Sequence, residues 1–483
     1  MSTKCNGCSG AVTIYLMLVF SLLCTLIVAC LHSARYSMCQ LETEKGLELG
    51  LLATFGEYNR KLLDRYDIFG IDTSYGSDSA SYHYTEHHLL EYTKYNVKPS
   101  YNTPIYGVSD LCGLQTDLVE INAIELLTDN TGYAFKKQAI EYIKMNYGIS
   151  FVEGIIDSVT EVSENALLET DIHKEREMAE DTIRKAERDG IQISEDEWVE
   201  FSLDNPANKI NANRSKGILN FTVKDKTTLS GNAVDLSNYC SKRELSKGNF
   251  TDDPSGFSFI EDIIFNEYCI KKMGCYTNPS KEEPLQYQLE YLLEGHNSDI
   301  ENLKGVCNTL VLMREVANTM YLLSDGIKVA EAEAMALAIT SALLVPALQP
   351  VVKYSLLAAW AYAESVVDVK TLLSGGSVPL IKSRKDWNLS LEGMLDYENL
   401  SGNVDKSEKG LDYTTYLRIL LAMENESKIN KRAMDVVEMY MRLTEGNRYF
   451  RMDACITSVN AKIRTRSRYG FMCKASQEYS YVY

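Results

Sequence analysis

A chain of 483 residues with 67 acidic against 49 basic side chains carries a formal charge of −18, which argues against a nucleic-acid partner because phosphate binding needs a basic face. Its composition, 45% apolar and 24% charged, is that of folded globular protein. Nine prolines and no Gly/Ser or Pro run leave no flexible linker, so one compact extramembrane body is expected. Thirty-one tyrosines against 13 phenylalanines supply apolar rings with polar tips, suited to half-wet surfaces.

The first element is an apolar run. Ala11 to Leu31 contains no charged residue, matching the about 20 residues that a membrane-spanning helix needs and exceeding the roughly 7–15 of a cleavable signal core. Residues 1–10 then form a short cytoplasmic tail whose positive charge is Lys4 and the amino terminus. His32 and Arg35 follow the run, so the charge bias is weak. The preferred topology is a single pass through the plasma membrane over 11–31, N-terminus inside and body extracytoplasmic. A rival reading is specific: Ile27-Val28-Ala29-Cys30 fits the pattern of a bacterial lipoprotein signal, with Cys30 as the lipid-carrying N-terminus. Past the run, Ala34, Met38, Leu41, Leu47, Leu51, Leu52, Phe55, Leu62 and Leu63 keep an approximate helical spacing. This predicts a stem helix over 32–66, which Gly46, Gly50 and Gly56 weaken without breaking.

The segment SGAVTIYLMLVF (Ser9–Phe20) resembles the start of TadE/TadG-like pseudopilins of tight-adherence pilus systems. These begin with a small residue, usually Gly, then an apolar helix with an early Glu. Gly10 holds the small position, so the resemblance implies processing between Gly10 and Ala11; Tyr15 or its neighbour Ile14 stands where the Glu would be, a departure from the pattern. FGEYNRKLLDRYDIFGIDTSYG (Phe55–Gly76) resembles an uncharacterised family of Gram-positive membrane proteins with the same start. The resemblance covers roughly the first 80 residues and implies location and association rather than chemistry. The implied function is a membrane-anchored extracytoplasmic structural or assembly protein, a minor pseudopilin-like component. Its implied partners are the membrane and other envelope or pilus-assembly proteins met through the stem. The alternative is a surface-anchored ligand-binding protein or lipoprotein using the acidic, Tyr-rich body.

A mostly helical extracytoplasmic body is expected over 67–450. Thr73–Ala80 reads as a polar turn, Leu118–Leu127 as a strand, Tyr133–Tyr147 as a helix and Asn165–Gly190 as a solvated amphipathic helix. Leu219, Phe221 and Val223 alternate with polar neighbours and suggest a strand. Ser298 and Glu301 have capping-box spacing ahead of a helix reaching to near Gly326. The second apolar region is interrupted by Pro346, Gln349 and Pro350, which fits a buried helix pair better than a second span over 334–352. Ser427 is placed as the cap of a helix closed by Gly446. In the last segment, 451–483, Val459, Ala461, Ile463 and Thr465 alternate with polar residues, and Tyr469, Phe471, Cys473 and Ala475 repeat the pattern. A period of two predicts two or three antiparallel strands with one buried face. The fold class is therefore α+β and mostly helical, a long N-terminal helix and C-terminal strands bracketing a large helical insertion.

No catalytic motif is present: there is no GxSxG, no Walker loop and no nucleotide-type GxGxxG, and no enzyme activity, cofactor or metal is expected. HYTEHH (His83–His88) reads as a solvated polar turn rather than a metal site. Cys5-x-x-Cys8 has no second ligand pair, and the acidic patch Glu195–Glu200 lacks the spaced ligands of a calcium loop. The eight cysteines after the apolar run could pair in part if the body is extracellular.

Overall fold

The computed structural model describes residues 8–98, 110–147, 178, 181–188, 191–194, 197–199, 205–214, 216–250, 256–342, 345–398 and 410–481. It is α+β and mostly helical, with a long apolar N-terminal helix and an antiparallel sheet that includes the C-terminal strands. Chain contacts divide it into two compact units: Met1–Gln138 with Leu245–Pro254 and Met441–Tyr483, and Ala139–Glu244 with Ser255–Tyr440.

In the first unit the N-terminal helix runs unbroken from Cys8 to Phe55. Its second half buries Cys39, Thr43, Gly46, Leu47, Gly50, Leu51, Thr54 and Phe55, one stripe at helical period. The expected stem over 32–66 is two helices. The first stops at Gly56, and Arg60–Tyr66 starts anew because the Asn59 side chain accepts from the Lys61 and Leu62 amides.

The buried stripe lies on a sheet whose central strand is Cys455–Arg466. This strand pairs antiparallel with Gln115–Leu126, with Met472–Ser480 and, at its start, with Ile71–Asp72. Val459, Ala461, Ile463 and Thr465 point into the core, as their alternation predicts. The Thr43 and Thr465 hydroxyls meet at 2.7 Å, Gln40 donates to the Lys474 carbonyl (2.8 Å) and Tyr481 donates to the Phe55 carbonyl (2.7 Å). The chain's last strand is thus packed on its first helix; Tyr483 lies outside the described residues. Gln115–Leu126 covers the expected Leu118–Leu127 strand, and Asn249 satisfies part of its free edge, accepting from the Ile124 amide and donating to the Asn122 carbonyl.

The second unit is built around Gln349–Leu373, in which every residue from Ser355 to Leu373 is buried. It packs against Asp299–Ser324 and Gly326–Ala342. The second apolar region is therefore a helix pair around Pro346–Leu348, its second member enclosed by protein. Burial all round forces its charged residues to find partners. Arg314 Nε donates to Asp368 (3.0 Å), the Lys382 ammonium reaches Asp368 Oδ1 (2.5 Å) and also contacts Glu364, and Glu364 accepts from the Asn388 and Leu389 amides (2.9 Å each). All four charged side chains are essentially inaccessible.

Ser298 caps Asp299–Ser324 as its spacing predicts, accepting from the Glu301 amide. Two expectations are corrected. Leu219–Thr222 is a single helical turn with Phe221 buried, not a strand; three alternating apolar positions are too few to separate one turn from a short strand. The helix of Glu426–Leu443 is capped by Asn425, which accepts from the Lys428 amide, two residues before Ser427. The expected Tyr133–Tyr147 helix is present with those bounds, because Asn130, Thr131 and Gly132 before it take the left-handed conformation and the regular part starts only after Gly132. Of the Asn165–Gly190 helix only 178 and 181–188 are described, and they are helical; Glu195, Asp196 and Glu200 of the acidic patch, with Cys5, lie outside the described residues.

Candidate membrane-anchoring site

From Val12 to Met38 the N-terminal helix is exposed at nearly every position, although its first part is the most apolar stretch of the chain. Ile14, Tyr15, Leu16, Met17, Leu18, Phe20 and Leu22 are all more than 60% exposed. An 18-residue window here has mean hydropathy 2.7 with none of it buried, and among the described residues this is the one helix long and apolar enough to cross a membrane. The polar groups inside it are short; the Thr25 hydroxyl donates to the Leu22 carbonyl (2.8 Å) and so needs no water. Gly10 and Ala11 are within this helix, and Cys30 is an exposed free thiol on it.

The same helix is gripped eight residues past Leu31. Gly46 and Gly50 face the Tyr82–Val97 helix so closely that a Cβ on Gly46 would meet Val97 Cγ2 at 2.4 Å, and one on Gly50 would meet Thr93 Oγ1 at 2.2 Å and its Cα at 3.2 Å. By sequence spacing alone these glycines are only weak points in a stem. The signal was the small-x-x-x-small interval itself, which lets two helix backbones approach. Gly50→Leu should force the two helices apart and lower stability by roughly 1–3 kcal/mol, offset in small part by better helix propensity. Gly46→Ala should be milder, because Val97 Cγ2 is the end of a side chain. Thermal unfolding of the full chain in detergent checks the ordering.

HYTEHH belongs to the Tyr82–Val97 helix and is not a turn. Ser81 caps it by accepting from the His83 amide. Its side chains tie elements together. Glu86 accepts from the Ile121 amide (3.1 Å), and His88 Nδ1 meets Glu57 at 2.9 Å, just beyond the stem helix. Glu57 also accepts from the Tyr92 and Tyr75 hydroxyls, and the bond to this carboxylate pushes the Tyr92 phenol up from its ordinary range. His83 meets Glu86 and the Tyr82 ring on its own helix and is exposed. Among the described residues no group of three His, Cys, Asp or Glu side chains is placed to hold a metal ion. Cys24, Cys30 and the eight cysteines from Cys39 onward are free. Eight are buried, with Cys39, Cys112 and Cys473 in the core beneath the stem.

Where the helix leaves the apolar run, the turn of the C-terminal hairpin lies against it. Phe471 packs edge-on against His32 (ring centroids 6.0 Å) and Tyr36 (5.6 Å), and the Arg35 guanidinium sits 4.8 Å from the Tyr469 ring centre. The site thus has three levels on one helix: a bare apolar segment, an aromatic and basic collar, and a packed stem.

Residues 195–467, more than half of the chain, match a family of unknown function, DUF5702. The chain belongs to this family. The match includes the central strand Cys455–Arg466 but neither the N-terminal helix nor the last strand. No curated protein and no solved structure matches the chain.

Proposed function

We propose that this DUF5702 protein is a membrane-anchored structural or assembly component of the cell envelope, with Val12–Leu31 crossing the plasma membrane once and the body held on its outer side. One observation carries the reading: a single unbroken helix is bare and apolar over Val12–Leu31, then packed against its own sheet and a neighbouring helix from Cys39 to Phe55. Such an anchor transmits the orientation of the bilayer to the first unit, because no joint separates span from stem. A role as a minor pseudopilin-like subunit, meeting other envelope proteins through the stem, extends this reading; the Ser9–Phe20 start supports it, and Tyr15 in place of an early Glu counts against pilin-type processing.

Intact-mass measurement of the mature protein from membranes tests the reading, together with alkaline extraction. An unprocessed N-terminus with the chain retained in the membrane pellet is expected. A start at Ala11 identifies pilin-like processing, and a diacylated Cys30 identifies a lipoprotein held by one leaflet. Deleting Val12–Leu31 should move the body to the soluble fraction; retention of that variant in the pellet refutes the anchor.

A further inference from the structure

We propose that the tip of the C-terminal hairpin, Arg464 to Lys474, is a binding surface for anionic phospholipid headgroups of the membrane that the N-terminal helix crosses. The proposal rests on the reading of Val12–Leu31 as a span.

Depth is the first argument. Twenty helical residues at about 1.5 Å each cover about 30 Å, the thickness of a hydrocarbon core. With Val12–Leu31 filling that core, His32 to Tyr36 fall within about 8 Å of its edge, the depth of the headgroup layer. Those are the residues on which Phe471 and Tyr469 pack. The hairpin turn is fixed there: the Ser467 amide donates to the Phe471 carbonyl (2.9 Å), the Gly470 amide to the Ser467 carbonyl (3.0 Å), and Gly470 takes the positive φ of 80° that closes it. Tyr469 and Met472 remain 37% and 53% exposed, an aromatic ring and a flexible apolar chain at the depth where amphipathic side chains collect.

Charge is the second argument. In a chain of formal charge −18, the stretch from Ala461 to Gln477 contains five bases and no acid. Arg466 and Arg468 have carboxylates nearby, Asp117 at 3.2 Å and Asp110 at 3.5 Å, and Lys462 pairs with Glu120. Arg464 and Lys474 have no ion pair among the described residues, and they stand directly opposite each other across the ladder. Like charges at facing positions destabilise a strand pair unless an anion lies between them. The strands hold this pair level with Gln40 and Thr43, about 13–18 Å past Leu31, so it is with side chains extended toward the bilayer that Arg464 and Lys474 share a phosphodiester headgroup, whose two free oxygens can accept from both.

The test uses the full chain in nanodiscs of phosphatidylcholine alone and of phosphatidylcholine mixed with phosphatidylglycerol, read by amide hydrogen exchange over 466–474. Exchange should slow at least about fivefold in the anionic discs at low salt. The slowing should vanish at high salt and in the pair Arg464→Gln with Lys474→Gln, while peptides from 39–55 stay unchanged. Equal exchange in both lipids, with the chain still in the discs, overturns the lipid surface and leaves the span intact. Chain that elutes apart from the discs overturns the span and the proposal together. Inorganic phosphate that protects the tip in phosphatidylcholine discs as well as phosphatidylglycerol does overturns it in favour of a soluble anion.

Discussion

Asp368→Ala is expected to destabilise the second unit by about 3–5 kcal/mol, the effect of leaving buried charges uncompensated. Asp368 is the shared acceptor of Arg314 and Lys382, and it also accepts from Asn318 (3.0 Å). Removing it leaves two cations with a single carboxylate where water does not reach. Lys382 keeps Glu364, but Arg314 keeps only neutral partners, the Leu380 carbonyl, Asn318 and the Tyr416 hydroxyl. Trp360 and Trp387, whose rings meet edge-on at 5.7 Å, lie in the same part of the unit, with Lys382 5.5 Å from the centre of the Trp387 ring. Denaturant unfolding followed by tryptophan fluorescence therefore reports on the site directly. Replacing the charges together, Arg314→Met, Asp368→Leu, Lys382→Met and Glu364→Gln, should recover most of the loss, since the penalty belongs to unpaired charge and not to the absence of the network. A single variant with unchanged midpoint would show that the buried pairs are not formed.

The second large effect is one of pH. Glu290 is buried, and desolvation pushes its carboxyl up to about 7 even though the Tyr413 hydroxyl and the Tyr276 amide donate to it (2.7 and 2.8 Å). The folded state therefore holds a proton that the unfolded chain releases near its ordinary pKa of 4.5. Stability from this group is fully present below about pH 4.5 and is lost as pH rises to about 7, by about 3 kcal/mol in all. Asp435, raised to about 6 by burial although Tyr291 and Ser241 donate to it, acts in the same direction. Midpoints of thermal unfolding at pH 5 and pH 7.5 should differ in favour of the lower pH. Glu290→Gln, which cannot ionise and keeps an acceptor for Tyr413, should reduce the difference. An unchanged difference in that variant would place the pH dependence elsewhere.

The anchor and the packing beside it were legible to different degrees. Ala11–Leu31 was readable because length and apolarity are properties of the segment alone. The inward face of Val459–Thr465 and the Ser298 cap were readable for the same reason, one from a period of two and the other from a spacing of three. HYTEHH reads as a turn because six polar residues hold too few apolar positions to show a helical period; the helix is recognisable only when its continuation through Leu89 and Val97 meets the core. Gly46 and Gly50 read as flaws because their value depends on a second helix that the stem's own sequence does not mention.

By itself the sequence determined an apolar helix long enough to span a membrane, a helical stem continuing from it, and strands at the far end of the chain. Each follows from local periodicity, which needs no partner. Only the tertiary structure decided that Thr465 meets Thr43, 422 residues away, that Arg314 and Lys382 share Asp368, and that the basic hairpin turn lies beside His32 and Tyr36 where the apolar run ends. Those are pairings between distant segments. A residue pattern fixes which face of an element is buried, but the choice of what covers that face is made by the packing of the whole chain.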